Sequence, residues 1–377
     1  MKKLIGLIVL SLLSVTACSQ GTQPQSTATL PPSGGQATAT TMPTATITPG
    51  QMSPGATTAK TMAADYFAFK KDACMTYKGT GNEFAPYKAY VDYVKDGVVQ
   101  TRQVNAGTTT VYVYKIVDGV IKKVYSKGEV YYKYDFTSLS NMDEILIKEP
   151  IQIGNSWKLK DGSVRSITAL ERQINTPSGS YKALEITTKR KDSTQKDYYA
   201  KGIGLVKTVF SMGDEASAVT SELEKTEIGV PYKTMVRFYF PDFAKDRLVY
   251  EDREIELKTD DDIKSKLEEE LKKVPEGITG LTKTISDSVK ILGISLDDKK
   301  GIITVDFSSD FIKGMNAGAA LEGMLLKSIT NTIGHCFQVS KVVITAEGKR
   351  YESGHFALKK GEYFTVSDDK TVQYIKP

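Results

Sequence analysis

The chain has 377 residues, a quarter of them charged, and a formal net charge of +5. Acidic and basic residues are interspersed without a basic stripe, which argues against nucleic acid as a partner. The length exceeds the usual size of one hydrophobic core, so we expect two folded domains.

The first 18 residues have the layout of a lipoprotein signal. Two lysines precede an apolar run from Leu4 to Leu13, which is too short to cross a bilayer because a spanning helix needs about 20 apolar residues. The stretch Val15-Thr16-Ala17-Cys18 resembles the bacterial lipobox, and the resemblance implies cleavage before Cys18 and acylation of its thiol. We therefore expect a signal peptide over residues 1–17 and a lipid anchor on the extracytoplasmic face of the cell membrane. The alternative is an ordinary secretory signal with an incidental cysteine.

Residues 18–61 form a low-complexity segment. After Cys18 it consists mainly of Thr, Ala, Ser, Pro, Gly and Gln, with no aromatic residue and almost no charge before Lys60. Such a composition buries too little apolar surface to offset the entropy of the chain. We expect a disordered tether that lets the folded part stand off from the lipid surface.

Residues 62–228 show the pattern of an antiparallel β domain. Short alternating apolar stretches are separated by turn signals, and Asp-Gly pairs supply the positive φ that tight hairpins need. The spacing predicts a β-rich meander, folded as a curved sheet or half-barrel and preceded by a short helix around Met62–Cys74. The predicted hairpin turns lie at Asp96-Gly97, Asp118-Gly119, Lys127-Gly128 and Asp161-Gly162.

Tyrosines are concentrated in this block. Within each of the pairs Tyr112/Tyr114 and Tyr132/Tyr134, the two residues alternate along a predicted strand and so share one face of the sheet. One hypothesis is an aromatic platform for a glycan or an apolar ligand. The other is that tyrosine simply suits a half-buried strand. The alternation favours the second hypothesis, because any half-buried sheet requires it.

Residues 229–377 have the pattern of an α+β domain. Two strands precede a helix that Thr259 or Asp260 can cap, and a hairpin, a second helix over Gly318–Gly334 and a final strand follow. The order β-β-α-β-β-α-β is typical of a two-layer α/β sandwich. Both helices carry apolar residues four apart: Ile263, Leu267 and Leu271 in the first, and Leu321, Leu325, Ile329 and Ile333 in the second.

This second block resembles the GerMN domain, a module named for a spore germination and sporulation protein. The resemblance runs from Tyr232 to Leu358 and rests on the stretches "VRFYFPD", "GIITVDFS" and "LEGMLLKSITNT". The chain departs from the family at Lys272-Lys273-Val274-Pro275, where a Leu-Ile-x-Gly-Pro end is usual. The resemblance implies a non-catalytic interaction module of the ring-building type. Its candidate interaction or signature residues are Asp306, Phe307, Glu322, Ser328, Asn331, Thr332 and Phe337.

Patterns for metal binding and catalysis are weak. The two histidines, His335 and His355, lack the partners at matched spacing that a zinc site needs. Cys336 follows His335 directly, and neighbours in sequence rarely adopt the geometry of a nucleophile and its base. Asp260-Asp261-Asp262 lacks the spaced ligands and the central glycine of a calcium loop, so helix capping explains it better.

The other polar candidates have structural explanations. Asp306 and Asp310 are expected to cap and turn the chain into the following helix, and Asn331 to bond to backbone at the helix end. Cys74 and Cys336 lie far apart in sequence, which favours two buried thiols over a disulfide. We therefore expect no catalytic residue, no cofactor and no metal.

Two hypotheses for function remain. The favoured one is a lipid-anchored, extracytoplasmic adaptor that contacts envelope or sporulation proteins through the GerMN-like domain. The alternative is a protein that binds cell-wall glycan or lipid on the tyrosine-rich sheet. Neither hypothesis includes an enzymatic step, and the sequence leaves self-association open.

Overall fold

A computed structural model describes residues 62–315 and 317–375 of the chain, except for the side chains of 214–216. The predicted signal peptide, the lipidation site Cys18 and the tether lie outside these residues. The described chain forms a large antiparallel sheet, which is followed by two smaller sheets and their helices.

The first half is one antiparallel sheet, as predicted. A 3₁₀ turn at Ala63–Tyr66 precedes it. Its strands within the described residues are β1 (Ala73–Thr80), β2 (Tyr87–Lys95), β3 (Val98–Val104), β4 (Thr109–Val117), β5 (Val120–Lys127), β6 (Glu144–Lys148), β7 (Ser156–Lys158), β8 (Val164–Thr176), β9 (Gly179–Lys189), β10 (Thr194–Ala200), β11 (Gly204–Met212) and β12 (Asp214–Ile228). The order β6-β5-β4-β3-β2-β1-β12-β11-β10-β9-β8-β7 consists of two meanders joined by the pairing of β1 with β12.

Three of the four predicted hairpin turns are confirmed. Asp96-Gly97 joins β2 to β3, Asp118-Gly119 joins β4 to β5, and Asp161-Gly162 lies between β7 and β8. Asp118 and Gly119 both have positive φ, 49° and 71°, which is the backbone that a tight hairpin requires. Local turn chemistry is therefore sufficient to locate these turns.

The hairpin predicted at Lys127-Gly128 is wrong, because the next strand, β6, begins only at Glu144 and residues 128–136 run as irregular chain. Side chains of β3 replace the missing strand partners. The Arg102 guanidinium donates to the carbonyls of Val130 (2.6 Å) and Tyr132 (2.8 Å), and the Gln100 amide donates to the carbonyl of Tyr134 (2.9 Å). The helix expected around Met62–Cys74 is limited to the 3₁₀ turn, since β1 already begins at Ala73.

The sheet curls until its two edges meet through side chains. Trp157 on β7 donates its indole N–H to the carbonyl of Ile145 on β6, at 3.1 Å. Arg165 on β8 donates to the same carbonyl at 2.6 Å and to the Glu144 carboxylate at 2.9 Å. These contacts join β6, at one edge of the sheet, to β7 and β8, at the other edge. Side chains from both meanders therefore face a common interior.

The second half contains two small sheets. Its elements are β13 (Tyr232–Asp242), β14 (Arg247–Leu257), α1 (Ile263–Leu271), β15 (Ile291–Asp297), β16 (Ile302–Phe307), α2 (Asp310–Lys313), α3 (Ala319–Cys336), β17 (Lys341–Ala346), β18 (Lys349–Arg350), β19 (Phe364–Thr365) and β20 (Thr371–Gln373). The predicted order is present, but the strands divide into a sheet β13-β14-β20 and a sheet β15-β16-β17-β18, with β19 also on β17. The second strand of each sheet has a parallel neighbour, β20 beside β14 and β17 beside β16.

The cap of α1 differs from the prediction. Asp262 caps the helix, since its carboxylate accepts from the Lys264 backbone N–H at 3.0 Å. Thr259 and Asp260 bond to the first sheet instead. The Thr259 hydroxyl donates to the carbonyl of Val91 at 2.7 Å, and Asp260 accepts from the backbone N–H of Val94 at 2.9 Å. The predicted apolar stripe of α1 is buried.

One hydrophobic cluster includes residues of both halves. Val111 and Phe136 of the first half belong to the same cluster as Phe238, Ile329 and Phe337 of the second half, and all five are buried. Burial of apolar surface is the main favourable term in folding. The large sheet and the second half therefore stabilise each other.

A buried ion pair adds to this contact. Arg102 on β3 is fully buried, with its guanidinium 2.9 Å from the carboxylate of Asp92 on β2. The guanidinium also lies 4.4 Å from the ring centroid of Tyr232, at the start of β13. An arginine over an aromatic face is attracted by the ring quadrupole, and the attraction is stronger where water is excluded.

Candidate functional site

Glu322, a signature residue of the second block, is buried on α3 and holds the chain after β18. Its carboxylate accepts from the Tyr351 hydroxyl at 2.7 Å and from the Ser353 hydroxyl, and it lies 2.7 Å from Nδ1 of His355. Burial opposes ionisation of Glu322, but the hydrogen bonds from Ser353, His355 and Tyr351 lower the pKa of its carboxyl below its usual value. The Ser353 hydroxyl is bonded to Glu322. Glu322, Ser353 and His355 therefore lack the contact between the serine hydroxyl and the histidine ring that a catalytic triad needs.

The polar signature residues of α3 also bond inside the fold. The Asn331 side chain exchanges two hydrogen bonds with the backbone of Ser367, at 2.8 and 3.0 Å. Asn331 thus binds backbone, but that of a distant segment and not the helix end that the sequence predicts. The Thr332 hydroxyl accepts from the backbone N–H of Tyr239 at 3.1 Å, and Ser328 donates to the carbonyl of Met324 at 2.9 Å. The contacts of Asn331 and Thr332 tie α3 to neighbouring segments, while that of Ser328 stays within the helix.

Asp306 has a different structural role from the one predicted. Its carboxylate accepts from the Thr345 hydroxyl at 2.6 Å and from the backbone N–H of Gly348 at 2.8 Å. It therefore holds the turn after β17 and does not cap the following helix, since Ser309 occupies the residue before α2.

The aromatic signature residues face the core. Phe307 is fully buried, with its ring centroid 4.5 Å from that of Phe311. Phe337, just after α3, lies 5.3 Å from Tyr132 and 6.4 Å from Tyr134, centroid to centroid. Phe307 and Phe337 thus determine packing, and the surface for any partner consists of other residues.

The predicted four-tyrosine platform does not form. Tyr132 and Tyr134 lie on the irregular segment and pack against Phe337, so they share no strand face. Tyr112 and Tyr114 do alternate along β4, with ring centroids 6.3 Å apart. They line a cavity inside the curled sheet, together with residues of the other meander.

The cysteines and the acidic run have structural environments. Cys74 and Cys336 are free thiols in the described chain, as favoured from the sequence, but only Cys74 is buried as a residue and Cys336 is partly buried. Burial raises the pKa of the Cys336 thiol to about 12, which disfavours the reactive thiolate. The neighbouring His335 lies 3.0 Å from the Asp368 carboxylate. No cluster of three or more potential metal ligands occurs among the described residues, 62–315 and 317–375.

An open groove lies beside the first turns of α3. We name it the α3 groove; it has a volume of about 470 Å³, and its apolar walls include Ile285, Val289, Phe311, Met315, Leu321 and Leu325. Leu321 and Leu325 begin the apolar stripe predicted for this helix. The stripe correctly located the buried face of α3, but its first member, Leu321, is only partly covered.

The described part of the chain contains no helix that is both long and apolar enough to cross a membrane.

Residues 237–352 match the family model Germane, described as "Sporulation and spore germination". The match lies within Tyr232–Leu358, the range over which the sequence resembles a GerMN domain, and confirms that resemblance. No curated protein matches the chain.

Three solved structures are similar to parts of the chain. A protein described as exported, with a YmcC-like fold, from Bacteroides fragilis shares 14% identity over 43% of this chain and 98% of its own, with a TM-score of 0.30. The tandem GerMN domains of the sporulation protein GerM from Bacillus subtilis share 22% identity over 37% of this chain and 46% of their own, with a TM-score of 0.26. A protein described as a lipoprotein from Clostridium perfringens shares 20% identity over 37% of this chain and 90% of its own, with a TM-score of 0.25. On the family match, the chain carries a GerMN-type Germane domain at residues 237–352.

Proposed function

We propose that this protein is a non-catalytic, lipid-anchored adaptor outside the cytoplasm, which docks envelope or sporulation proteins through its Germane domain. The observation that carries the proposal is the Germane match at residues 237–352. The lipid anchor rests on the lipobox that ends at Cys18. The adaptor needs no bond to be made or broken, only a surface that is held in a fixed shape.

The packing of the domain supports such a role. Glu322, Asn331 and Thr332 use their polar atoms on the fold itself. The Germane domain also shares its hydrophobic cluster with the large sheet. A docking surface on it is therefore pre-organised, and pre-organisation lowers the entropy cost of binding.

The α3 groove is the docking surface that we assign to the partner. Its apolar walls suit an apolar side chain of a partner protein, because buried apolar anchors dominate the energetics of protein interfaces. Its rim is charged, since Lys283 pairs with Asp287 at 2.9 Å. An apolar centre with a polar rim is the usual anatomy of an interface.

The test is capture of partners from native membranes with the full chain and two leucine-to-glutamate variants. Leu321→Glu puts a charge on the wall of the groove, at the first turn of α3 where the helix dipole favours an acidic residue. Leu292→Glu is the matched control, because Leu292 is exposed and lies outside the groove. A truncation after Ile228 is a poorer test, since it would uncover Val111 and Phe136 of the shared cluster.

We expect envelope or sporulation proteins to be recovered with the unaltered chain and with Leu292→Glu, and to be lost with Leu321→Glu. Circular dichroism should show that all three proteins are equally folded. Recovery of the same proteins with Leu321→Glu would rule out the groove, and recovery of no such protein with the unaltered chain would contradict the adaptor function.

A further inference from the structure

A second cavity lies inside the curled sheet, and none of its lining residues belongs to the Germane domain. It has a volume of about 250 Å³, and we name it the sheet cavity. Its walls come from both meanders: Tyr112 and Tyr114 from β4, and Asp197 and Tyr199 from β10. The cavity therefore depends on the curl of the sheet, and sequence alternation alone does not reveal it.

Tyr199 places a hydroxyl in the wall of this cavity. The residue is only 5% exposed, but its hydroxyl oxygen is not among the buried side-chain atoms that lack a hydrogen-bond partner within the described residues. A hydroxyl at the wall of an open cavity can bond to water, and a ligand hydroxyl can take the place of that water.

Asp197 stands beside it with a fixed carboxylate. It is 6% exposed and accepts from the Gln195 amide at 3.0 Å and from the Thr208 hydroxyl at 2.9 Å. Burial raises the pKa of the Asp197 carboxyl, although Gln195 and the nearby Arg165 oppose the rise. Each carboxylate oxygen has two lone pairs, so Asp197 can also accept from a hydroxyl placed in the cavity.

Three of the four charged side chains that line the cavity pair with one another. Arg165 is almost fully buried and donates to Thr188, Ile145 and Glu144 at 2.8, 2.6 and 2.9 Å. Glu144 also pairs with Lys123 at 2.8 Å. The fourth is Asp197, so two cations face two carboxylates and the lining calls for no strongly charged ligand.

We propose that the sheet cavity binds one neutral sugar unit. Tyr112 and Tyr114 line the cavity and offer apolar surface to the C–H groups of the sugar, and Asp197 and the Tyr199 hydroxyl supply hydrogen bonds for its hydroxyls. The volume is below that of a site for a drug-sized ligand, which suits a single ring. The polar lining favours a sugar over a lipid chain. This binding is separate from docking at the α3 groove, so either proposal can fail without the other.

The test is isothermal titration calorimetry on the full chain, purified in a detergent without a sugar head group. The probes are glucose, galactose and N-acetylglucosamine at millimolar concentration, with myristate as the lipid probe. Tyr199→Phe removes only the hydroxyl that the proposal assigns to the sugar. Tyr363→Phe is the matched control, because Tyr363 is exposed and lies outside the sheet.

We expect at least one of the sugars to bind, and Tyr199→Phe to weaken its binding by roughly tenfold, the effect of losing one good hydrogen bond. Tyr363→Phe should bind as the unaltered chain does, and both variants should keep their unfolding temperature. Absence of binding for all three sugars, an unchanged affinity in Tyr199→Phe, or binding of myristate alone would overturn the proposal.

Discussion

The ring of Phe337, just after α3, lies 5.3 Å from the ring of Tyr132, on the irregular segment that follows β5. One residue belongs to the Germane half and the other to the large sheet. Both are buried in the same hydrophobic cluster. The contact explains why residues 128–136 leave the sheet: their aromatic side chains pack against α3, while Arg102 and Gln100 bind their carbonyls.

Phe337→Ala is therefore expected to destabilise both halves together. Removing a fully buried phenylalanine costs about 3–5 kcal/mol, from lost burial and the cavity left behind. Trp157, the single tryptophan, lies on β7 of the large sheet and reports on that half alone. Its fluorescence should show a lower urea midpoint in the variant, coincident with the midpoint from circular dichroism.

The matched control is Phe243→Ala, because Phe243 is 52% exposed and its loss leaves no cavity. This variant should keep the original midpoint. If Phe337→Ala left the Trp157 transition unchanged and only a second transition moved, the two halves would unfold independently, contrary to the shared core.

A second prediction concerns the buried pair of Arg102 and Asp92, 2.9 Å apart. Arg102→Met leaves the Asp92 carboxylate buried without its cation, and breaking a buried pair in this way costs about 3–5 kcal/mol. Adding Asp92→Leu should restore much of the loss, because the double variant buries no unpaired charge. Urea unfolding of both single variants and the double variant measures the coupling. Equal stability of Arg102→Met and the double variant would show that the charge of Asp92 is not the source of the loss.

Local signals in the sequence were enough for part of this fold. The Asp118-Gly119 hairpin follows from residues that accept positive φ, and the buried face of α1 from leucines four apart. The Germane domain could also be recognised from the sequence, because its short motifs follow one another in the order typical of the family.

Features that depend on distant side chains could not be read in this way. Thr259 is a good helix cap by type, but Val91 on β2 and Asp72 in the turn before β1 bind it instead. The sheet cavity is a further case, because Tyr114 and Tyr199 are brought together only by the curl of the sheet. An alternating pattern identifies the face of a strand, but not the strand that it will face.

The proposed lipid anchor can be tested by replacing one residue, Cys18. Cys18→Ser removes the thiol that the lipobox places at the cleavage site, so the acyl chains have no attachment point. We expect the protein to move from the membrane fraction to the soluble extracytoplasmic fraction, and to lose the mass of the acyl chains by mass spectrometry. Cys74→Ser is the matched control, because Cys74 is buried in the sheet, and it should stay in the membrane fraction. Retention of Cys18→Ser on membranes would show that another contact anchors the protein.

Acid should weaken the Germane domain through Glu268 on α1. Partial burial opposes ionisation of this carboxyl, but hydrogen bonds from Lys272 (2.8 Å), the Ile291 backbone N–H (2.9 Å) and Lys290 (3.0 Å) lower its pKa to about 2. The unfolded chain takes up the proton first, at its ordinary pKa near 4.5. The stabilisation is therefore present in full above that pH and is lost as the pH falls toward 2.

Glu268→Gln should reduce the loss of stability between pH 4.5 and pH 2, because the amide cannot titrate. We expect the variant to be less stable than the unaltered chain by on the order of 2 kcal/mol at pH 7, and the gap to close toward pH 2. Urea unfolding at several pH values measures the gap. Glu83→Gln, on an exposed turn between β1 and β2, is the control and should lose as much stability at low pH as the unaltered chain does. A gap between Glu268→Gln and the unaltered chain that stayed constant from pH 7 to pH 2 would mean that the charge of Glu268 does not stabilise the domain.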